Sequence, residues 1–437
     1  MKSNLPSLFA SFFLCFLVLW GSGTSGHGQV TPSQMRLFSL NPASETSLGE
    51  VVAASRTHVV AGNPKSGPPI PVAFGGVGSI SVFNASTGQR IRQTFAPAIH
   101  NNGEFGAALA LHGNLLAVGE PGADAVHLYN VATGALLRSI TGTAGSRFGG
   151  ALAMHGNRLA VGAPEDNGGR GAVFVFDVRN GDQLNGAPIL HPAPVADDHF
   201  GAAVAISGDW LMVGAPKDNT IRGIDAGSAF VFELDQFNRV FTFDGTGLAG
   251  DPLDDNDNLG ASVAIHGPVF FAGAPFDESG GPALSGSVMV FFAQDSEFVV
   301  LRSDTPINQG FFGQSMAFAD GLLAVGEPGA EDIVDGSPVT RAGKTHVFSV
   351  MDSLNPNRVA ILESRKGLET QGGDEFGTSV AVCGNRVYAA SELDNDGDFP
   401  GAVIRFDPIS RQPDSHRSDA VVLQRGDSVE GLPGATF

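Results

Sequence analysis

Short segments in which hydrophobic and polar residues alternate recur along most of this chain. The unit that begins at Phe148 shows the pattern in "GALAMHG", "NRLAVGAP" and "GAVFVFD", followed by "VRNGDQLNGAPIL", which holds a turn and a further strand. Alternation with a period of two over about five to seven residues predicts β-strands. Each unit therefore contains four predicted strands.

The same order of motifs occurs seven times. Each unit opens with Phe-Gly or Leu-Gly and passes through Gly-Ala-Pro or a variant of it. The opening residues are Leu48, Phe105, Phe148, Phe200, Leu259, Phe312 and Phe376. Repeats of roughly 40 to 65 residues indicate units that stack or arrange radially, because each is too small to bury its own apolar face.

The distribution of side-chain size favours a β-propeller over a sandwich or a solenoid. Small residues follow the first Gly of a unit, as in Ala107-Ala108, whereas the third strand is bulky, as in "AVFVFD" and "SVMVFF". Blades converge at a central axis, so their inner strands are the most crowded. We predict an all-β, seven-bladed β-propeller of four-stranded antiparallel blades over residues 29–410.

A closed ring needs a strand that completes the last blade. The last unit has three clear strands, and the opening segment "QMRLFSL" at 34–40 resembles the fourth strands of other units. We expect 34–40 to close the ring, since pairing hides an exposed sheet edge. The competing segment is "DAVVLQ" at 419–424, within the polar C-terminal tail predicted over 411–437.

Phe-Gly, a hydrophobic strand and then Gly-Ala-Pro together resemble the FG-GAP repeat of the integrin alpha-subunit propeller, and more closely its short-turn bacterial version. The resemblance covers roughly residues 47–407 and implies a binding or adhesion module. Several integrin blades carry a calcium loop between the first two strands. Here that connection is a tight turn such as His155-Gly156-Asn157, which lacks the roughly six to eight oxygens that Ca²⁺ takes. We expect the inherited metal sites to be absent.

Residues 1–28 are predicted to be a secretory signal peptide. Lys2 precedes an apolar run from about residue 8 to residue 20, and small polar residues follow. The run is short for a membrane span, and a retained signal anchor is the alternative. We expect a secreted or cell-surface protein, or a periplasmic one, with no stable membrane span after cleavage.

The charge balance narrows the classes of partner. The chain has 25 Lys+Arg against 45 Asp+Glu, a net charge of −20. This excess opposes binding to nucleic acid or anionic lipid and permits cationic partners or divalent metals. The expected partner is an extracellular protein or glycan.

Acidic residues concentrate in loops that strand polarity places on one rim, opposite the tight turns. Propellers usually bind partners through the loops of one rim. The predicted ligand-facing aspartates are Asp166, Asp218, Asp225, Asp277, Asp332 and Asp335. The alternative is a solvated loop set that only keeps the protein soluble.

Two short motifs are further candidates. Asp394, Asp396 and Asp398 form the best local calcium site, although a distal bidentate Glu is missing, so Ca²⁺ is the one cofactor considered. In the tail, Arg425, Gly426 and Asp427 match the adhesion tripeptide that integrins recognise. A tripeptide also arises by chance, and an organism without integrins gives it no meaning.

The histidines of the tight turns invite a metal interpretation. His112, His155 and His266 occupy equivalent turns. We expect equivalent atoms of separate blades to lie too far apart to share one ion, since Zn–N bonds are about 2 Å long.

Motifs for catalysis are missing from the sequence. It contains no Gly-x-Ser-x-Gly elbow, phosphate loop, His-Glu-x-x-His or paired-Cys metal set. We predict a non-catalytic binding or adhesion module. The alternative is a propeller-type hydrolase or lyase that acts on an extracellular polymer, which a cluster of acid and base side chains with shifted pKa values at the channel mouth would favour.

Overall fold

The computed structural model describes residues 33–37, 48–67, 76–184, 186–245, 253–279, 281–293, 297–334, 337–350, 356–363, 373–391, 401–407 and 424–425. The predicted signal peptide and most of the predicted tail lie outside these residues. Among the described residues, no helix is long and apolar enough to cross a membrane.

Seven antiparallel sheets, the blades, dominate the described structure, and each blade has four strands. One repeat supplies all four strands in blades 1 to 6, whereas the fourth strand of blade 7 comes from the N-terminal segment. A short strand at Gln424–Arg425 adds to the outer edge of blade 5. Blades 1 to 4 comprise Val51–Ala54, His58–Asn63, Ser79–Asn84 and Arg90–Phe95; Leu109–His112, Leu115–Glu120, Ala125–Asn130 and Leu136–Thr141; Ala151–His155, Arg158–Ala163, Ala172–Asp177 and Ile189–Leu190; and Ala203–Ser207, Trp210–Ala215, Ser228–Glu233 and Asn238–Phe243. Blades 5 to 7 comprise Ser262–His266, Val269–Ala274, Ser287–Phe292 and Glu297–Leu301; Met316–Ala319, Leu322–Glu327, Lys344–Ser349 and Asn357–Glu363; and Val380–Cys383, Arg386–Ser391, Ala402–Asp407 and Ser33–Leu37.

A few elements lie outside this regular pattern. Asp332–Val334 and Ser337–Val339 form a two-stranded sheet in the loop of blade 6. A 3₁₀ turn covers Pro121–Ala123, and a single helical turn covers Asp166–Gly169. Helix is therefore almost absent from the described part of the chain, as the alternating pattern predicts.

The first strands of the blades surround the axis. Each first strand contacts the first strand of the next blade, and the first strand of blade 7 contacts that of blade 1. This closed cycle confirms the predicted seven-bladed propeller of four-stranded blades.

The ring closes through the N-terminal segment. Ser33–Leu37 pairs antiparallel with the third strand of blade 7, with Gln34 opposite Phe406. The prediction is thus confirmed for 34–37, with the strand beginning one residue earlier, and residues 38–40 lie outside the described residues. From the competing segment, Gln424 pairs with Val300 on the outer strand of blade 5.

The repeated motif holds neighbouring blades together. The Phe of each Phe-Gly is buried; Phe200, for example, packs between Val173 of blade 3 and Val213 of blade 4. The Gly of Gly-Ala-Pro allows a close approach, because a Cβ atom at Gly162 would lie 2.0 Å from the carbonyl oxygen of Gly201 in the next blade. Each core cluster therefore spans a blade junction.

Candidate functional site

Loops that follow the second strands and loops that precede the first strands lie together on one rim. In blade 3 the Glu165 amide donates to the Ser146 carbonyl (3.1 Å), and in blade 4 the Lys217 amide donates to the Asp198 carbonyl (3.3 Å). These contacts confirm that the two loop sets share a rim, which we call the loop rim.

One group of three side chains in the described part of the chain has the spacing of a metal site. His191 follows the outer strand of blade 3, Asp198 precedes the first strand of blade 4, and Asp218 follows the second strand of blade 4. Their ligand atoms lie within 4.8 Å of one another. The junction between blades 3 and 4 therefore brings one imidazole and two carboxylates together.

Hydrogen bonds fix the orientation of the His191 ring. The Ala193 amide donates to Nδ1 (3.1 Å), and Nε2 lies 3.2 Å from Oδ2 of Asp218. Because Nδ1 accepts a hydrogen bond, a neutral ring carries its proton on Nε2 and donates it to Asp218. The Ser228 hydroxyl also donates to Oδ2 of Asp218 (2.6 Å), so this carboxylate is held from two sides.

Asp198 is the least satisfied member of the group. It is fully buried, and the Val195 amide donates to its Oδ2 (2.6 Å), whereas its Oδ1 has no hydrogen-bond partner. Burial raises the pKa of Asp198, and the nearby charge of Asp218 raises it further. Two carboxylates beside a neutral imidazole carry excess negative charge, which a proton or a bound cation would neutralise.

Blade 5 has a related carboxylate pair at the equivalent positions, Asp257 and Asp277. Burial raises the pKa of Asp257 to about 8, and the charge of Asp277 contributes to this shift. Here Arg302, which follows the outer strand of blade 5, lies with Nη2 3.1 Å from Oδ2 of Asp277. In blade 5 the guanidinium of Arg302 therefore provides a positive charge next to the two carboxylates.

The predicted ligand-facing aspartates occupy different environments. Asp166 begins the single helical turn of blade 3 and is half-buried. Asp225 is half-buried and pairs with Lys217 (3.0 Å). Asp332 is half-buried at the start of the small sheet in blade 6. Asp277 is only 2% exposed.

Other candidates lie beyond the described residues. These are Asp335, Asp394, Asp396, Asp398, Gly426 and Asp427. The backbone of Arg425 pairs with Val299 in blade 5.

Sequence reasoning singled out Asp218 but missed its two neighbours. For Asp198 the sequence held a signal, because an Asp stands two residues before Phe-Gly or Leu-Gly in three units, at Asp198, Asp257 and Asp374. All three of these aspartates are buried. His191 had no such signal, since it comes from the preceding blade.

The loop rim also presents two large apolar side chains. Ile221 is 85% exposed and Ile224 is 65% exposed, both in the loop after the second strand of blade 4. The Ile224 amide donates to Oδ1 of Asp255 (2.8 Å), and the Asn256 amide donates to the Ile224 carbonyl (2.8 Å). Contacts from blade 5 therefore hold this apolar tip in place.

The turn histidines lie on the opposite rim. The rings of His112 and His155 have centroids 5.7 Å apart, so these two turns are close neighbours, while the expectation that the three histidines do not share one ion stays a prediction. Adjacent first strands are closest at the axis, which brings their turns together. His266 instead stacks on Phe318 at 4.5 Å.

A polar groove of about 540 Å³ lies beside these turns, between blades 3 and 4. Arg158 crosses it, with ion pairs to Asp209 (2.5 Å) and Asp235 (3.1 Å). The charged groups of the groove therefore largely satisfy one another.

Comparisons with known proteins agree with this architecture. The FG-GAP repeat family matches residues 137–176 and 193–232. Among solved structures, the crystal structure of RRP9 WD40 repeats is similar at 12% identity and a TM-score of 0.55, covering 87% of this chain and 99% of that chain. The structure of U3-55K is similar at 12% identity and a TM-score of 0.54, covering 86% and 98%. A search of curated proteins gave no match. At such identity the likeness shows the fold alone.

Proposed function

Because this chain is an FG-GAP repeat β-propeller, we propose that it is a secreted or cell-surface, non-catalytic binding module whose loop rim meets an extracellular protein or glycan. A propeller of this kind is a binding or adhesion type of scaffold in general.

The observation that carries this proposal is the apolar tip of blade 4. Ile221 and Ile224 stand in solvent on a loop that blade 5 holds in place. Large apolar side chains that are ordered before binding make good anchors, because little conformational freedom is lost when a partner covers them. The carboxylates of Asp225 and Asp255 lie beside the tip, so a partner with an apolar pocket and basic margins fits best.

Burial of the perturbed carboxylates supports a non-catalytic role. The pKa values of Asp198 and Asp257 are raised, but both side chains are at most 1% exposed. A general acid must come within hydrogen-bond reach of its substrate. These two side chains are too deeply buried to contact a substrate directly, which disfavours the hydrolase or lyase alternative.

A screen of the full chain against extracellular protein libraries and a glycan array tests the proposal. We expect a binder whose affinity falls at least tenfold in the variant Ile221→Ser/Ile224→Ser. The matched control is His112→Asn/His155→Asn on the opposite rim, which should bind as well as the parent. If binding is lost only in His112→Asn/His155→Asn, the binding face lies on the rim opposite the loop rim, and the proposal is overturned.

Calcium belongs to the same proposal as a ligand of the loop rim. Asp394, Asp396 and Asp398 are proposed ligands because carboxylates are the donors that Ca²⁺ prefers. Millimolar CaCl₂ should raise the melting temperature more than NaCl of equal ionic strength, and Asp396→Asn should weaken that effect. Equal responses to the two salts would remove calcium from the proposal.

A further inference from the structure

We propose that His191, Asp198 and Asp218 bind a divalent transition metal ion, with zinc as the metal that best suits their nitrogen and oxygen donors. This site is independent of the partner proposed for the loop rim. It differs in place and in chemistry from the calcium candidate at 394–398.

The spacing of the donors suits a single ion. Nε2 of His191 and Oδ2 of Asp218 lie 3.2 Å apart, and the three ligand atoms lie within 4.8 Å of one another. Two donors that each lie about 2.0–2.2 Å from a tetrahedral zinc are separated by about 3.4 Å. The nitrogen and oxygen of His191 and Asp218 are therefore already as close as two zinc ligands. Oδ2 of Asp198 lies 3.9 Å from Nδ1, so this carboxylate would have to rotate towards Nε2 to complete the site.

A buried, unpartnered donor is a second and independent indication of a ligand. Oδ1 of the fully buried Asp198 has no hydrogen-bond partner. A buried carboxylate oxygen without a partner is costly, and such atoms occur where an ion or water completes the site. The other oxygen of the same carboxylate is fixed by the Val195 amide.

A neighbouring hydroxyl orients one of the carboxylates, and that same carboxylate is the one that reaches the surface. The Ser228 hydroxyl orients Asp218 through a 2.6 Å hydrogen bond, which is the kind of outer contact that positions metal-binding carboxylates. The side chain of Asp218 is 14% exposed, whereas those of His191 and Asp198 are at most 5% exposed. An ion would therefore enter past Asp218.

Binding requires one change in the His191 ring. The metal takes the lone pair of Nε2, so the ring proton moves from Nε2 to Nδ1. That shift breaks the 3.1 Å hydrogen bond from the Ala193 amide and turns two N–H groups towards each other, so the Ala193 amide must move away. The ring stays neutral, and the two carboxylates compensate the two charges of the ion.

The donor set selects the class of metal. Imidazole suits zinc and its first-row neighbours, whereas Ca²⁺ takes about six to eight oxygen ligands. Three protein donors leave one position of a tetrahedral zinc for water, as in open zinc sites.

Blade 5 offers a matched comparison within the same molecule. Asp257 and Asp277 repeat the carboxylate pair, but Arg302 already lies beside Asp277. A guanidinium at that place repels a metal ion, so we expect zinc at the blade 3–4 junction and none at the blade 5 pair.

Titration of the full chain with ZnCl₂, followed by calorimetry and thermal unfolding, tests the proposal. The experiment uses the His112→Asn/His155→Asn background, because that exposed pair could bind zinc separately. We expect one zinc per chain and a higher melting temperature. Asp198→Asn and His191→Gln should each lower the affinity at least tenfold, whereas Asp257→Asn should leave it unchanged.

Cobalt(II) supplies a readout that a purely structural role would not change. Bound CoCl₂ should show the intense visible absorption of a four-coordinate ion, and His191→Gln should abolish it. Gln can still donate to Asp218, so this variant keeps the fold even if Asp198→Asn does not. Zinc affinity unchanged in His191→Gln, binding only at millimolar zinc, or the pale spectrum of hydrated cobalt would each overturn the proposal.

Discussion

Blades 2 and 6 share a buried Glu–His pair that the other blades lack. Glu120 lies 2.8 Å from His127, and Glu327 lies 2.6 Å from His346, with both carboxylates at most 1% exposed. In each blade the Glu replaces the Ala of Gly-Ala-Pro, and the His replaces a bulky residue of the third strand. Blade 3 has Ala163 and Phe174 at these places, and blade 4 has Ala215 and Phe230.

The surroundings of the two pairs differ. In blade 2, Oε1 of Glu120 contacts Nδ1 of His100 (2.7 Å), and Nδ1 of His127 contacts the Ser139 hydroxyl (2.8 Å). Every polar atom of that pair has a partner.

In blade 6 the equivalent neighbours are Ile307 and Ile361, and Ile361 stands opposite His346 as Ser139 stands opposite His127. The Ser303 hydroxyl donates to Oε2 of Glu327 (2.9 Å), but Oε1 of Glu327 and Nδ1 of His346 lack a hydrogen-bond partner among the described residues.

The two blades therefore share a buried Glu–His pair, but only the pair of blade 2 has all of its hydrogen bonds made. Both blades contain the Glu and the His, but only blade 2 contains the residues that complete their hydrogen bonds. Buried polar groups without partners cost about 1–3 kcal/mol each. We therefore expect the blade 6 pair to be the weaker contributor to stability and the more sensitive to loss of one member.

The largest expected effect comes from removing one member of the blade 6 pair. His346→Phe leaves Glu327 buried with Ser303 as its donor and should cost about 3–5 kcal/mol of unfolding free energy at pH 7. His127→Phe should cost less, about 1–3 kcal/mol, because His100 still contacts Glu120. Urea denaturation measures both values, and a larger cost in blade 2 would break the comparison.

The matched control restores the residues of blade 3. The double variant Glu327→Ala/His346→Phe recreates the Ala163 and Phe174 combination and should return to within about 1 kcal/mol of the parent, since apolar replacement of a whole buried pair is often neutral. If the double variant is as unstable as His346→Phe, the loss comes from the shape of Phe and not from the stranded carboxylate.

A second prediction concerns a buried carboxylate that has no histidine partner. The folded-state pKa of Asp257 is about 8, above the ordinary value of about 3.9, so the folded protein keeps a proton that the unfolded chain releases. The stability that Asp257 contributes is therefore fully present below about pH 4 and is lost as the pH rises towards 8, so it gives the parent a pH slope that the variant lacks. Asp257→Asn should remove that slope and add on the order of 2 kcal/mol at pH 9.

The control for this prediction is Asp277→Asn. It leaves Arg302 buried without its carboxylate and should destabilise the protein across the whole range. Denaturant midpoints between pH 4 and pH 9 distinguish the two variants. If the difference in stability between the parent and Asp257→Asn stays constant between pH 4 and pH 9, Asp257 ionises at its ordinary pKa.

A third prediction concerns the hydrogen-bond donor that blade 2 has and blade 6 lacks. Ile307→His should give Oε1 of Glu327 a donor at the place that His100 has in blade 2, and should add about 1 kcal/mol. The reverse change, His100→Ile, should cost about the same amount in blade 2. Denaturation of both variants at pH 7 checks the exchange, and loss of stability in both would mean that the two sites are not equivalent.

The architecture was predictable because its signals are local. Alternation, the Phe-Gly and Gly-Ala-Pro motifs and the small inner residues define the seven blades, and "QMRLFSL" identified the closing strand. The Glu–His pairs also had a signal, since "VGEP" occurs in the same two units as "AVHLYN" and "KTHVFS". Aligning the units by position would have found it.

The candidate metal site was not predictable in the same way. His191 meets Asp198 and Asp218 only because the outer strand of blade 3 ends beside the loops of blade 4. That position depends on how far each blade is rotated against the next, which no repeat motif encodes. The contact of His112 with His155 was missed for the same reason.

The smallest expected effect concerns the pair His112 and His155, which is far more exposed than the Glu–His pairs. Partial burial lowers the pKa of His155, and the nearby His112 lowers it further. The unfolded chain then binds protons more readily near pH 6, so the contribution of His155 is present above about pH 6.5 and lost as the pH falls. His112→Asn/His155→Asn should leave the melting temperature unchanged at pH 7, because Asn suits a hairpin turn, and raise it by about 1 °C at pH 5. Calorimetry at the two pH values measures the difference. A lower melting temperature of the variant at pH 5 would mean that the two rings stabilise the turns when charged. The exposed pair would then stabilise the fold, as the buried Glu–His pairs are expected to do.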